Sequence, residues 1–185
     1  MRSIHFVFLP ALILLAAPLL AAQSAASAMP APAPIPAPIL SAHTVFIANA
    51  GMDAFADQVF GELGLSDTEP YDALYAAMKT WGRYQLVSSP AGADLVLEIR
   101  STAPFTTPEK EAVWDFQHIV ANSTWQFQNS VAIYDGKTHF LLWTITQPIR
   151  PAALAGTWRK NILAANDNLL AQFKSLLIPT PPANP

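Results

Sequence analysis

WQFQNSVAIYDGKTHFLLWTITQ, Trp125 to Gln147, reads as a long β-hairpin, and its reading decides the fold. On the first arm Trp125, Phe127, Val131 and Ile133 fall on one face, with Asn129 among them. Gln126, Gln128, Ser130, Ala132 and Tyr134 fall on the other. A period of two is the mark of a half-buried strand. Asp135-Gly136-Lys137-Thr138 is the turn, with Gly136 expected to supply a positive φ. The second arm puts Leu141, Trp143 and Ile145 on one face and Phe140, Leu142, Thr144 and Thr146 on the other. Both faces are apolar or β-prone, so this arm is expected to be the more central of the two.

Working outward, AHTVFIAN (Ala42 to Asn49) has the composition of an opening strand. Met52 to Leu65 has partial helical spacing, weakened by Gly61 and Gly64, and reads as a short helix or ordered loop. Ser66 and Glu69 stand at capping-box spacing before Pro70. Tyr71, Leu74, Tyr75, Met78 and Trp81 then mark one face of a helix, and Gly82 is placed to end it. Arg83 to Ser88 and Ala93 to Arg100 read as strands, the second alternating Leu95, Leu97, Ile99 against Asp94, Val96, Glu98. Lys110 to Asn122 shows no firm period. Trp158, Ile162, Leu163, Leu169, Leu170, Phe173, Leu176 and Leu177 mark a final amphipathic helix. These elements predict a two-layer α+β domain: a mixed sheet of about five strands, with two main helices packed on one face. The first strand and its helix imply a crossover to a parallel neighbour, while the hairpin is antiparallel.

The ends differ in composition from the middle. Arg2, an apolar run from Phe6 to Leu20 and small residues after it describe a signal peptide over 1–22. The run is shorter than the ~20 residues that span a bilayer, so no stable span is expected after cleavage. Residues 23–41 form an Ala/Pro-rich linker, which favours extended polyproline II. Residues 42–178 are then a single domain and 179–185 a disordered tail. The net charge is −3 and no basic run occurs, which argues against nucleic acid and against polybasic attachment to lipid. Cysteine is absent, so no disulfide framework, thiolate site or lipidated cysteine is expected. Periplasmic or secreted localisation follows from the leader.

Chemistry is sparse. No HExxH, G-x-S-x-G elbow or phosphate-binding glycine loop occurs, and no metal or cofactor is expected. Asp115 and His118 share a face if their segment is helical. Together with Glu98 they are the candidates for a small secreted hydrolase. Asp94 and Glu98 share a strand face and read as solvated partners of Arg83 or Arg100. A binder of small apolar ligands would need ~300 Å³ or more between helix and sheet. The main expectation is a non-enzymatic interaction or assembly module with an envelope protein or glycan partner. Its contacts are expected among Trp114, Asp115, His118, Trp125, Asp135, Lys137 and His139, in the segment Thr102 to Asn122, or along a sheet edge.

The segments TVFIANA, YAAMKTWGRYQLVSSPAGADLVLEI and VAIYDGKTHFLLWTITQPI, followed by the last helix, resemble a family of secreted bacterial proteins without assigned activity. "ADLVLEI" and "IYDGKTHFLLW" carry most of that resemblance. The element order is more distantly similar to the amino-terminal domain of the translocation protein TolB and to accessory proteins related to the curli secretion channel. The resemblance implies an assembly role with no catalytic residues.

Overall fold

The computed structural model describes residues 33–106 and 124–178. The leader, most of the Ala/Pro linker, the tail, and Trp114, Asp115 and His118 lie outside the described residues. Helix α1 (Ala37–Ser41) leads into β1 (Thr44–Met52), α2 (Ala54–Glu62) and α3 (Glu69–Trp81). Then come β2 (Gln85–Leu86), a 3-10 turn (Pro90–Gly92), β3 (Leu95–Thr102) and β4 (Phe105–Thr106). The chain continues with β5 (Thr124–Trp125), β6 (Gln128–Asp135), β7 (Leu141–Pro148) and α4 (Ala155–Leu176). Five strands form one mixed sheet in the order β2-β1-β3-β6-β7. β1 runs parallel to both β2 and β3, and β3, β6 and β7 are successively antiparallel. This is the expected α+β class.

The helices cover one sheet face because alternate strand residues are apolar there. Across β3, β6 and β7 the register aligns Leu97 with Ile133 and Trp143, and Ile99 with Val131 and Ile145. Leu74 and Met78 of α3 and Leu169, Leu170 and Phe173 of α4 close over these rows. The two helices run side by side in the same direction: Glu69 meets Arg159 near their starts, and Trp81 meets Phe173 near their ends. Gly82 takes φ +68° and terminates α3, as its position after Trp81 predicts.

A polar row divides the core. The next register position holds Ser101, Asn129 and Gln147. Ser101 Oγ donates to Asn129 Oδ1 at 2.6 Å. Asn129 Nδ2 donates to Asn166 Oδ1 at 2.9 Å, and Asn166 Nδ2 to the Pro70 carbonyl at 2.7 Å. All three side chains are buried. The chain of bonds fixes α4 and the first turn of α3 to the sheet. Beyond it lies a second apolar cluster, with Phe60, Ala103, Phe127, Ile149, Trp158 and Ile162. Asp53 holds that end together: its carboxylate caps α2 through Ala56 N at 2.8 Å and accepts from Ala103 N at 2.6 Å.

Several expectations are corrected. β7 lies at the sheet edge, and its partner β6 is the more central of the two arms. The apolar residues of β7 had masked this, but of its eight residues Ile145 alone is buried. The first hairpin arm starts at Gln128; Trp125 belongs to a separate two-residue ladder with Phe105. Gly136 does not carry the positive φ of the turn, which falls on His139 at +59°. Glycine is required at 136 for a different reason: a Cβ there would overlap the Ala93 carbonyl. No side chain caps α3; Ser66 accepts from Thr68 N, and Glu69 turns to Arg159 instead. The strand expected over Arg83 to Ser88 shortens to Gln85–Leu86. Finally, Ile39 of the expected linker is fully buried in the main cluster and Ile35 packs on it, so packing begins before Ala42.

Candidate interaction surfaces

The four described candidate residues fall into two groups at opposite ends of β6. That strand has eight residues, so the ends are separated by ~25 Å. One group is Trp125 with its neighbours; the other is Asp135, Lys137 and His139 at the hairpin tip.

At the first end, Pro104 and Gln126 bring β4 and β5 together through Gln126 N and the Pro104 carbonyl at 3.0 Å. This places Phe105 directly opposite Trp125. Their ring centroids are 5.0 Å apart, and Trp125 stacks on Phe55 of α2 at 4.0 Å. Phe55 in turn meets Phe127, which packs edge-on against Trp158 at 4.8 Å. The result is a run of aromatic rings from the core to the surface. At its outer end Trp125 is 43% exposed and Phe105 54% exposed. Each ring is braced by the one beneath it, so the outer pair is held in place before any contact is made. Phe105 falls within the contact segment expected over Thr102 to Asn122 but carries no signal of its own there, and Phe55 reads in the sequence only as a helix position. Phe105 sits in a proline-bounded break, and Phe55 in a segment whose glycines obscured its helical spacing.

At the other end the tip is polar. Asp135 Oδ1 accepts from Lys137 N at 2.9 Å and Thr138 N at 2.7 Å. These backbone donors hold its carboxyl below the ordinary carboxylate range. Asp94 is held low in the same way, by the amides of His43 and Thr44 at 2.9 and 3.0 Å. Asp94 therefore tethers the start of β1 to the start of β3, where a solvated partner of Arg83 or Arg100 had been expected. Asp94, Asp135 and Lys137 border an open groove of about 260 Å³ with Ala37, Pro38, Ser41 and Ala42. Phe140 and Leu141, just past the tip, are 72% and 55% exposed.

The geometry bears on the other chemistries as well. Glu98 lies on the sheet face away from the helices, between Ala48 and Ala132. Among the described residues there is no cluster of three potential metal ligands. The space between helices and sheet, lined by Leu74, Leu97, Val131, Ile145, Leu169, Leu170 and Phe173, holds a void of about 10 Å³. That is about the room of a single water and far short of the ~300 Å³ that a small apolar ligand would need. A larger hollow of about 590 Å³, bordered by Phe46, Tyr71, Tyr75 and Leu86 beside β2, is an open surface groove. No helix among the described residues is long and apolar enough to cross a membrane.

No family model matches the chain, and no curated protein matches it. Among solved structures, a Xanthomonas campestris protein of the DUF330 family is similar at 12% identity and a TM-score of 0.43, over 78% of this chain and 90% of that one. A DUF4136 family protein from Bacteroides thetaiotaomicron is similar at 14% identity and a TM-score of 0.41, over 78% and 93%. A lipoprotein from Neisseria meningitidis is similar at 13% identity and a TM-score of 0.33, over 70% and 99%. All three scores lie below 0.5, so neither shared ancestry nor a shared activity follows from them.

Proposed function

We propose that the chain is an exported, non-enzymatic interaction module of a bacterial cell envelope. It binds a protein or glycan partner through the aromatic surface of Phe105, Trp125 and Phe55. The observation that carries this reading is the braced, solvent-facing pair Phe105 and Trp125. Large amphipathic rings already fixed in position lose little conformational freedom on binding and supply much of the contact energy of interfaces. Indole rings also stack on sugar faces, which keeps a glycan within the class. The leader-like segment 1–22 and the Ala/Pro stretch after it support export and a spacer between the domain and a surface. The hairpin tip, with Asp135, Lys137 and His139, is a second and more polar contact surface on the same domain.

The test is a Phe105→Ala/Trp125→Ala double variant expressed from the precursor. Partner recovery from envelope extract is expected to fall at least ~10-fold, the scale of losing one well-packed aromatic contact. The thermal transition is expected to stay cooperative. Equal recovery by wild type and variant would overturn the reading.

A further inference from the structure

β7 is the one long edge strand of the sheet among the described residues; the opposite edge, β2, has two residues. Which of its backbone groups face outward follows from the ladder. Ile149 N donates to the Phe127 carbonyl, so positions 143, 145 and 147 turn their amides and carbonyls toward β6. Those of Thr144 and Thr146 face away from the sheet, and both residues are exposed. Proteins normally block such an edge with a charge or a mid-strand proline. Here no charged residue occurs from Leu141 to Gln147, and Pro148 stands at the very end. The extra residue at Leu142 bends the start of the strand, where the register slips between Ile133 and Tyr134.

We infer that β7 pairs antiparallel with β7 of a second copy of this chain, about a two-fold axis at Thr144. A strand meeting its own copy across a two-fold axis must pair antiparallel. Centring on Thr144 sets Thr144 opposite Thr144 and Leu142 opposite Thr146 of the second copy. Every residue in those hydrogen-bonding positions carries an N–H, and Pro148 falls beyond the ladder. On the helix-covered face Trp143 meets Ile145 of the other copy, an aromatic and β-branched pair of the kind that stabilises sheets. Lys137 and Arg150, the nearest cations, lie outside the paired run, so no like charges face each other. Phe140, 72% exposed, lies just before the paired run. A second copy is favoured over a foreign strand because this one sequence satisfies both sides of the ladder without a charge conflict. The surface is separate from the Phe105/Trp125 end, so the two readings stand or fall independently.

The test uses the full chain as the expressing cell delivers it, with sedimentation velocity over a concentration series. Wild type is expected to show a concentration-dependent dimer. Thr144→Pro removes the outward N–H from both copies without touching the bonds to β6. It is expected to weaken dimerisation about 10- to 100-fold, the effect of losing two hydrogen bonds. Thr144→Lys places two ammonium groups opposite each other on an exposed face; it is expected to weaken the dimer even if the proline variant fails to fold. Because the chain has no cysteine, a single Thr144→Cys reports the register. Opposed Cα atoms ~5.5 Å apart permit a disulfide between copies. Thr146→Cys, displaced from its own copy by four residues, is expected not to form one. A wild type that stays monomeric, a dimer indifferent to both Thr144 variants, or crosslinking at 146 and not 144 would overturn the proposal. A chain that is monomeric yet still recovers its partner through Trp125 would refute self-pairing and leave the interaction reading intact.

Discussion

Replacing Asn166 with alanine removes the middle of a buried polar chain. Asn166 accepts from Asn129 Nδ2 at 2.9 Å and donates to the Pro70 carbonyl at 2.7 Å. It is 1% exposed, and Asn129 is fully buried. In the variant one amide donor and one carbonyl acceptor lose their partners inside the core. Each such orphan costs about 1–3 kcal/mol. The lost packing of the truncated side chain adds roughly 1 kcal/mol. With each orphan near ~1.5 kcal/mol the total is about 4 kcal/mol, a large part of the ~5–15 kcal/mol that holds a typical domain together. Urea unfolding followed by tryptophan fluorescence reads this directly. With a slope of ~2 kcal/mol per molar, the midpoint should fall by about 2 M. Asn129→Ala alone should also destabilise, while the double variant should cost less than the sum, because the second change removes the donor that the first one orphans. A loss below about 1 kcal/mol for Asn166→Ala, or additive single effects, would refute the view that this chain of bonds ties α3 and α4 to the sheet.

Other perturbations separate other parts of the account. Gly136→Ala pushes a methyl into the Ala93 carbonyl and should destabilise by about 1–3 kcal/mol in thermal unfolding; an unchanged transition would show that the tip can move away freely. Asp94 and Asp135 titrate below their ordinary value when folded, so the unfolded chain takes up protons first as pH falls. Their contribution is therefore present above pH ~4 and is lost as pH drops toward the folded values, and Asp94→Asn/Asp135→Asn should flatten the urea midpoint across that window. If the double variant keeps the wild-type pH profile, these carboxylates are not the anchors described. Phe55→Ala removes the ring beneath Trp125 and should weaken partner recovery although Phe55 is not the outermost ring; unaltered recovery would mean that bracing does not matter.

Much of the architecture was legible in the sequence because period and punctuation agreed. Alternation in Leu95 to Ile99 and in Asn129 to Ile133 matches the buried face of β3 and β6. The stripe through Leu74 and Met78, ended by Gly82, matches α3. What failed did so for physical reasons. Strand order depends on which strand finds a neighbour, and Leu142 and Trp143 gave β7 the composition of a central strand although it stands at the edge. The glycine at 136 was recognised as special, but its cause lies in the backbone of Ala93, more than forty residues away in sequence. Asn166 gave no signal at all, since a lone Asn on a helix reads as surface until its partners on β6 and α3 are known.

The candidate surfaces were legible in part. Trp125 was singled out, but its partners Phe55 and Phe105 come from a glycine-interrupted helix and a proline-bounded strand, where no pattern connects them. Asp94 looked like a solvated carboxylate because its partners are backbone amides, which leave no trace in residue identity.

The most direct measurement is site-specific photocrosslinking in cells that express the precursor, with the photoreactive residue placed at 105 or 125 and, as a control, at exposed Leu163 on α4. The account expects a discrete adduct with one envelope component from 105 and 125 and none from 163. Identical background from all three sites, or an adduct confined to 163, would contradict it.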